Sequence, residues 1–76
     1  MNHELLLRKF GIGTHYLYCD LEDVALRVII DNEMAEVHIK HRGKREFKAS
    51  YDSMLANLAF SREPVPITKE EYYHFK

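Results

Sequence analysis

The sequence predicts an α+β fold: a small antiparallel β-meander of three or four strands followed by two C-terminal helices packed on one face. Three observations carry this expectation. Apolar and polar residues alternate over three consecutive segments, 24–31, 34–41 and 45–51. Helical spacing replaces the alternation from Met54 onward. Thr68 and Glu71 then form the sequence signature of a capping box, which opens one last helix.

The opening segment, NHELLLRKFG, reads either as a short N-terminal helix stopped by Gly11 or as an added strand. Gly11-Ile12-Gly13 is a bend rather than a phosphate loop, because no third glycine and no following lysine accompany it. THYLYC, residues 14–19, reads as a further edge strand. Leu17, Leu21, Val24, Ala25 and Val28 would also fit a helical stripe, but the tyrosines and nearby β-branched residues favour the strand.

In VALRVIID, Val24, Leu26, Val28 and Ile30 share one parity. In MAEVHIKH the apolar set is Ala35, Val37 and Ile39, opposite Glu36, His38 and Lys40. In REFKASY it is Phe47, Ala49 and Tyr51. Residues facing each other on paired strands share a face, so the parities restrict the loops. The first loop must hold an even number of residues, either DNEM or its central Asn32-Glu33. The second must be odd. A loop of His41-Arg42-Gly43 puts glycine where the turn needs a left-handed residue. That register sets Val37 opposite Phe47, His38 opposite Glu46 and Glu36 opposite Lys48.

Asp52 or Ser53 can cap the next helix, whose expected inward positions are Met54, Leu55, Leu58 and Ala59. Pro64 ends it and Pro66 keeps the connector extended. The closing helix is expected over roughly 69–75, with Ile67 stapled against Tyr72.

Size and composition bound the rest. Seventy-six residues make a single domain, 1–76, near the lower limit of what folds unaided. An apolar fraction of 46% beside 30% charged residues suits a globular chain rather than a disordered one. The single cysteine, Cys19, excludes an internal disulfide and fits a reducing, cytoplasmic setting. The first ten residues hold only a three-leucine run, too short for a signal core or a membrane span. A formal net charge of −1 gives no whole-molecule attraction to nucleic acid.

Catalytic chemistry finds little support. His15 and Cys19 would lie about 13 Å apart on a strand, while His38 and His41 would face opposite sides, so neither pair converges on a metal ion. No serine stands in a Gly-x-Ser-x-Gly turn and no family signature surrounds Cys19. Glu22-Asp23 suits a turn, and Glu70-Glu71 suits the electrostatics of a helix start. The expectation is a non-enzymatic protein without cofactor or metal.

Charge is unevenly spread. Asp20, Glu22, Asp23, Asp31, Glu33 and Glu36 oppose only Arg27, and then HIKHRGKREFK, residues 38–48, brings five lysines and arginines and two histidines. Cross-strand carboxylates are expected to neutralise His38 and Lys48, leaving a basic hairpin tip of Lys40, His41, Arg42, Lys44 and Arg45. With Tyr16 and Tyr18 on one face of an edge strand, these seven residues are the expected partner-binding set. They imply a small interaction module, a regulator, adaptor or inhibitor, that grips another protein through an acidic surface. The alternative is a nucleic-acid-binding protein that uses the 38–48 hairpin as a β-ribbon. No membrane association is expected, and the chain is a monomer or a homodimer.

Overall fold

A computed structural model describes residues 2–76. Helix α1 spans His3–Phe10, capped by Asn2, whose side chain accepts from the Leu5 N–H at 3.0 Å. Gly11 ends it at φ 85°, a left-handed value that suits glycine, while its N–H donates to Leu7. Of the two readings of this segment, the helix is the one formed. Strands β1 (Gly13–Cys19), β2 (Val24–Ile30), β3 (Ala35–His41) and β4 (Phe47–Ala49) follow as a meander. Helix α2 is Met54–Ser61, strand β5 is Val65–Pro66 and helix α3 is Lys69–Tyr73. The sheet order is β4-β3-β2-β1-β5, and every neighbouring pair is antiparallel.

The strands keep the expected parity along the sheet. Leu17, Cys19, Val24, Leu26, Val28, Ile30, Val37 and Ile39 all point to one face and are almost wholly buried. Leu6 of α1 and Ala56, Ala59 and Phe60 of α2 close that face. The turn between β2 and β3 is the even loop DNEM, closed by Asp31 N–H to the Met34 carbonyl. Asp31 also accepts the Glu33 and Met34 N–H groups, and those two bonds hold its carboxyl below the usual range.

The β3–β4 register differs from the expected one by two residues. Phe47 lies opposite Ile39 and Ala49 opposite Val37. A slip of two preserves which face each side chain takes, so Ala49 and Tyr51 still pack against the core. Phe47, expected inside opposite Val37, is instead carried to the end of the sheet, where it is 46% exposed and stacks on His41. The turn is longer, with Gly43 still left-handed at φ 67° and Lys44 N–H bonded to the His41 carbonyl. The expected pairs persist as diagonal contacts: Lys48 Nζ lies 3.2 Å from Glu36, and His38 lies 3.7 Å from Glu46.

Ser53 caps α2, accepting from the Ala56 N–H. Its inward face is rotated from the expected one. Ala56, Ala59 and Phe60 are buried and Leu55 packs against them, whereas Met54 and Leu58 are exposed. The large Phe60 ring, set against Phe10 at 6.1 Å, outweighs the two aliphatic positions in fixing which stripe turns inward.

The two C-terminal helices are present but lie on opposite faces. After α2 the chain runs along the outer edge of β1 as β5, with Leu17 opposite Pro66 and Tyr18 opposite Val65. Proline has no N–H to lose, so it suits this edge position. The Ile67 N–H then bonds the Tyr16 carbonyl, and the chain has crossed to the second face. There Tyr72 and Phe75 pack on Ala25 with Tyr16, Tyr18 and Ile67 around them. The sequence pattern of β3 makes this face look solvated, but β1 and β2 supply it with Tyr16, Tyr18 and Ala25. β1 is consequently flanked on both sides and is not an edge strand.

The predicted capping box is formed: Thr68 Oγ1 accepts from the Glu71 N–H, and the Glu71 carboxylate accepts from the Thr68 N–H. Five residues are too few for a helix to persist alone, so α3 owes its stability to the face beneath it.

Leu26 is fully buried at the centre of the first face. Leu26→Ala is expected to cost about 2–5 kcal/mol, read as a lowered urea midpoint at constant slope. A loss below about 1 kcal/mol would contradict a closely packed position there.

Candidate functional site

The sheet crossing brings the tip of the β3–β4 hairpin against the segment that follows α3. The Phe75 carbonyl is the junction, because it accepts both the Gly43 N–H at 3.0 Å and the Lys40 ammonium at 2.7 Å. Lys40 lies over the Phe75 ring, 5.9 Å from its centroid, and is only 9% exposed. Of the expected basic tip, this residue is thus turned inward along the second face.

Arg42 is also committed. Its Nε sits 2.7 and 2.8 Å from the two Asp23 carboxylate oxygens, and its Nη1 donates to the Lys76 main-chain oxygen. The guanidinium lies 4.4 Å above the Phe75 ring and reaches the Tyr18 hydroxyl, which itself donates to Asp23. Hydrogen bonding to Asp23, then to Tyr18, holds Arg42 further above its ordinary range. Asp23 takes its place through a left-handed φ of 52° in the β1–β2 turn.

His41 is exposed and stacks on Phe47, with ring centroids 6.0 Å apart and planes at 16°. The side chains of Lys44 and Arg45 are exposed and make no ion pair or hydrogen bond among the described residues. The seven expected residues therefore separate. Lys44, Arg45 and His41 remain on the surface, Lys40 and Arg42 bind the C-terminal segment, and the two tyrosines pack beneath α3. Tyr16 meets the Tyr72 and Tyr73 rings at 5.4 and 6.2 Å, and Tyr18 meets Phe75 at 5.5 Å.

Two aromatics of this region are exposed: Phe47, under His41, and Tyr73, at 45% exposure, standing edge-on to Tyr72 at 5.1 Å. The adjacency of Tyr72 and Tyr73 signals that one of them must face outward, since neighbouring helical positions diverge by 100°. Nothing in the sequence indicates that Lys76 and Glu46 join it.

Beneath the hairpin lies a polar network. Arg27 donates from Nε to Glu46 at 3.0 Å, and its Nη2 lies 2.8 Å from the same carboxylate oxygen. The Tyr72 hydroxyl donates to the same Glu46 oxygen at 3.3 Å. His38 is shared between Glu36 at 3.1 Å and Glu46 at 3.7 Å. Its bond to Glu36, joined by Lys48, keeps the Glu36 carboxyl below the usual range.

Two shallow clefts flank the 73–76 segment. One, about 570 Å³, lies between Tyr18 and α3 and includes Arg42, Glu70, Glu71 and His74, so its charges are mixed. The other, about 510 Å³, lies between the hairpin tip and Tyr73 and includes Lys40, Lys44, Arg45 and Lys76. Neither presents a nucleophile with a base. Cys19 is buried on the opposite face, and His15 donates to the Gly11 carbonyl at 2.9 Å. Among the described residues, no three His, Cys, Asp or Glu side chains gather into a metal set.

Burial raises the Tyr72 phenol well above its ordinary value, and Glu46 adds to the shift. The neutral form is favoured in the folded state. Its contribution to stability is therefore complete below about pH 10, where an unfolded tyrosine begins to ionise, and is lost as pH rises beyond that. Tyr72→Phe keeps the ring and removes this dependence. The difference in urea midpoint between the variant and the parent should shift in the variant's favour from about pH 9 to pH 11. Parallel profiles would refute the assignment. No family model, curated protein or solved structure matches the chain, so the functional reading rests on this geometry alone.

Proposed function

We propose that the chain is a small non-enzymatic interaction module that binds another protein through the hairpin tip and the neighbouring end of α3. The observation that carries this reading is the commitment of the basic stretch to internal contacts. Lys40 is turned inward, Arg42 is paired with Asp23, and Lys48 is paired with Glu36. The cations left free around the tip are Lys44 and Arg45, with Lys76 beside them. A surface that holds a nucleic-acid backbone needs a longer cationic track, since each phosphate contact releases counterions and several are required. The exposed Tyr73, the His41–Phe47 stack and a few exposed cations have instead the mixed composition of a protein interface.

The test compares the two partner classes on the intact chain. Fluorescence anisotropy with a generic oligonucleotide is expected to show weak binding at low salt, with a logarithmic salt slope no steeper than about −3. Photo-crosslinking from position 44 or 73 in a lysate of the source cell is expected to yield a discrete protein adduct that Lys44→Glu with Arg45→Glu removes. Tight oligonucleotide binding with a steeper slope, and no protein adduct, would overturn the proposal in favour of nucleic acid.

A further inference from the structure

The cleft between the hairpin tip and Tyr73 contains a cation without a counter-ion. Lys40 is nine-tenths buried, yet no carboxylate of the described residues lies within 4.0 Å of its Nζ. Its contacts are a main-chain carbonyl and an aromatic face, which orient the ammonium without matching its charge. Three further cations, Lys44, Arg45 and Lys76, line the same cleft. Among the described side chains lining the cleft, the carboxylate is that of Glu46, which already receives Arg27 and the Tyr72 hydroxyl.

We infer that this cleft is a binding site for an acidic peptide segment of a partner protein. One carboxylate of the segment approaches Lys40, and neighbouring ones meet Lys44, Arg45 and Lys76. The inference rests on the interaction-module reading and names its ligand.

Charge complementarity selects an anion, and two further features select carboxylate on a peptide over phosphate. Phosphate sites are typically built from converging main-chain N–H groups. At this tip the Gly43 N–H is spent on the Phe75 carbonyl and the Lys44 N–H on the His41 carbonyl. The tip also presents separate side-chain cations on long stems, Lys44 and Arg45, which suit carboxylates spaced along a chain. The second feature is Tyr73. Its ring is exposed, is held edge-on by Tyr72, and forms a wall of the cleft. It offers an apolar side chain of the peptide a fixed surface beside the charges, something a free phosphate would not use.

The test is a titration of the isotopically labelled full chain, followed by amide chemical shifts, with a short acetylated peptide alternating glutamate and leucine. The matching lysine–leucine peptide and inorganic phosphate are the other two arms. The acidic peptide is expected to move amides confined to 40–46 and 73–76, and the basic peptide to move none of them. Lys44→Glu with Arg45→Glu should weaken binding at least tenfold. Both sites are exposed, so the dispersion of the variant's own spectrum verifies the fold. Tyr73→Ala should weaken the peptide and leave the phosphate response unchanged.

Shifts scattered over the surface, equal binding by the double variant, or a phosphate response matching the peptide's would each overturn the inference. The two readings fail separately. A crosslinked partner that survives the double reversal sinks the cleft and leaves the module. An acidic peptide seated in the cleft of a chain that yields only nucleic acid sinks the module and leaves the cleft.

Discussion

The seat of Tyr72 on Ala25 places everything in the C-terminal third of the molecule. Both residues are fully buried, and with Phe75 they form an apolar cluster separate from the main core. A tyrosine ring removes roughly 150–250 Å² from water, which at about 25 cal/mol per Å² is roughly 4–6 kcal/mol as an upper bound. Each hydrogen bond around α3 contributes about 1 kcal/mol net. Ring burial therefore sets where α3 lies, and the polar contacts refine it. The small side chain at position 25 is fully buried in the same cluster as the Tyr72 and Phe75 rings. Once Tyr72 is seated, the chain direction carries Phe75 to the hairpin tip, where its carbonyl meets Gly43 and Lys40.

The crossing that brings α3 to this face depends on the edge of β1. Two residues of β5 suffice, because Val65 and Pro66 pair with Tyr18 and Leu17 and the Ile67 N–H extends the contact to Tyr16. The proline blunts the outer edge at the same time, since it has no N–H to offer a further strand. One short segment thus covers β1, turns the chain around the sheet, and delivers Ile67 to pack beside Tyr72.

Much of this fold was legible where a single local rule decides. Period two assigned the faces of β2, β3 and β4, and parity alone required an even β2–β3 loop, of which DNEM was one of two readings. Capping chemistry located the starts of α2 and α3. The parts that escaped are those decided by competition between elements. Parity is blind to a register slip of two, and the longer turn at residues 42–46 was settled by Glu46 reaching Arg27 across the sheet. The inward stripe of α2 was settled by Phe60 against Phe10, a ring contact between helices distant in sequence. The side taken by α3 was settled by Ala25 and the β1 tyrosines, residues whose pattern within their own strands gives no hint of a helix above them.

The candidate site illustrates the same division through charge. Counted along the chain, residues 38–48 are strongly basic, and a linear reading can pair a cation only with carboxylates expected across one hairpin. Two of these cations find partners elsewhere in space. Arg42 is drawn to Asp23, in the turn on the far side of β2, because β1, β2 and β3 place both ends at the same rim of the sheet. Lys40 is drawn under the segment after α3, a position defined only once Tyr72 is seated. Pairing and burial have opposite electrostatic results for these neighbours. Arg42 is paired with a carboxylate at the surface, whereas Lys40 is held by a main-chain carbonyl and an aromatic face. The charge lining the cleft beside Tyr73 therefore depends less on the number of cations in the stretch than on which of them the fold leaves without a carboxylate partner.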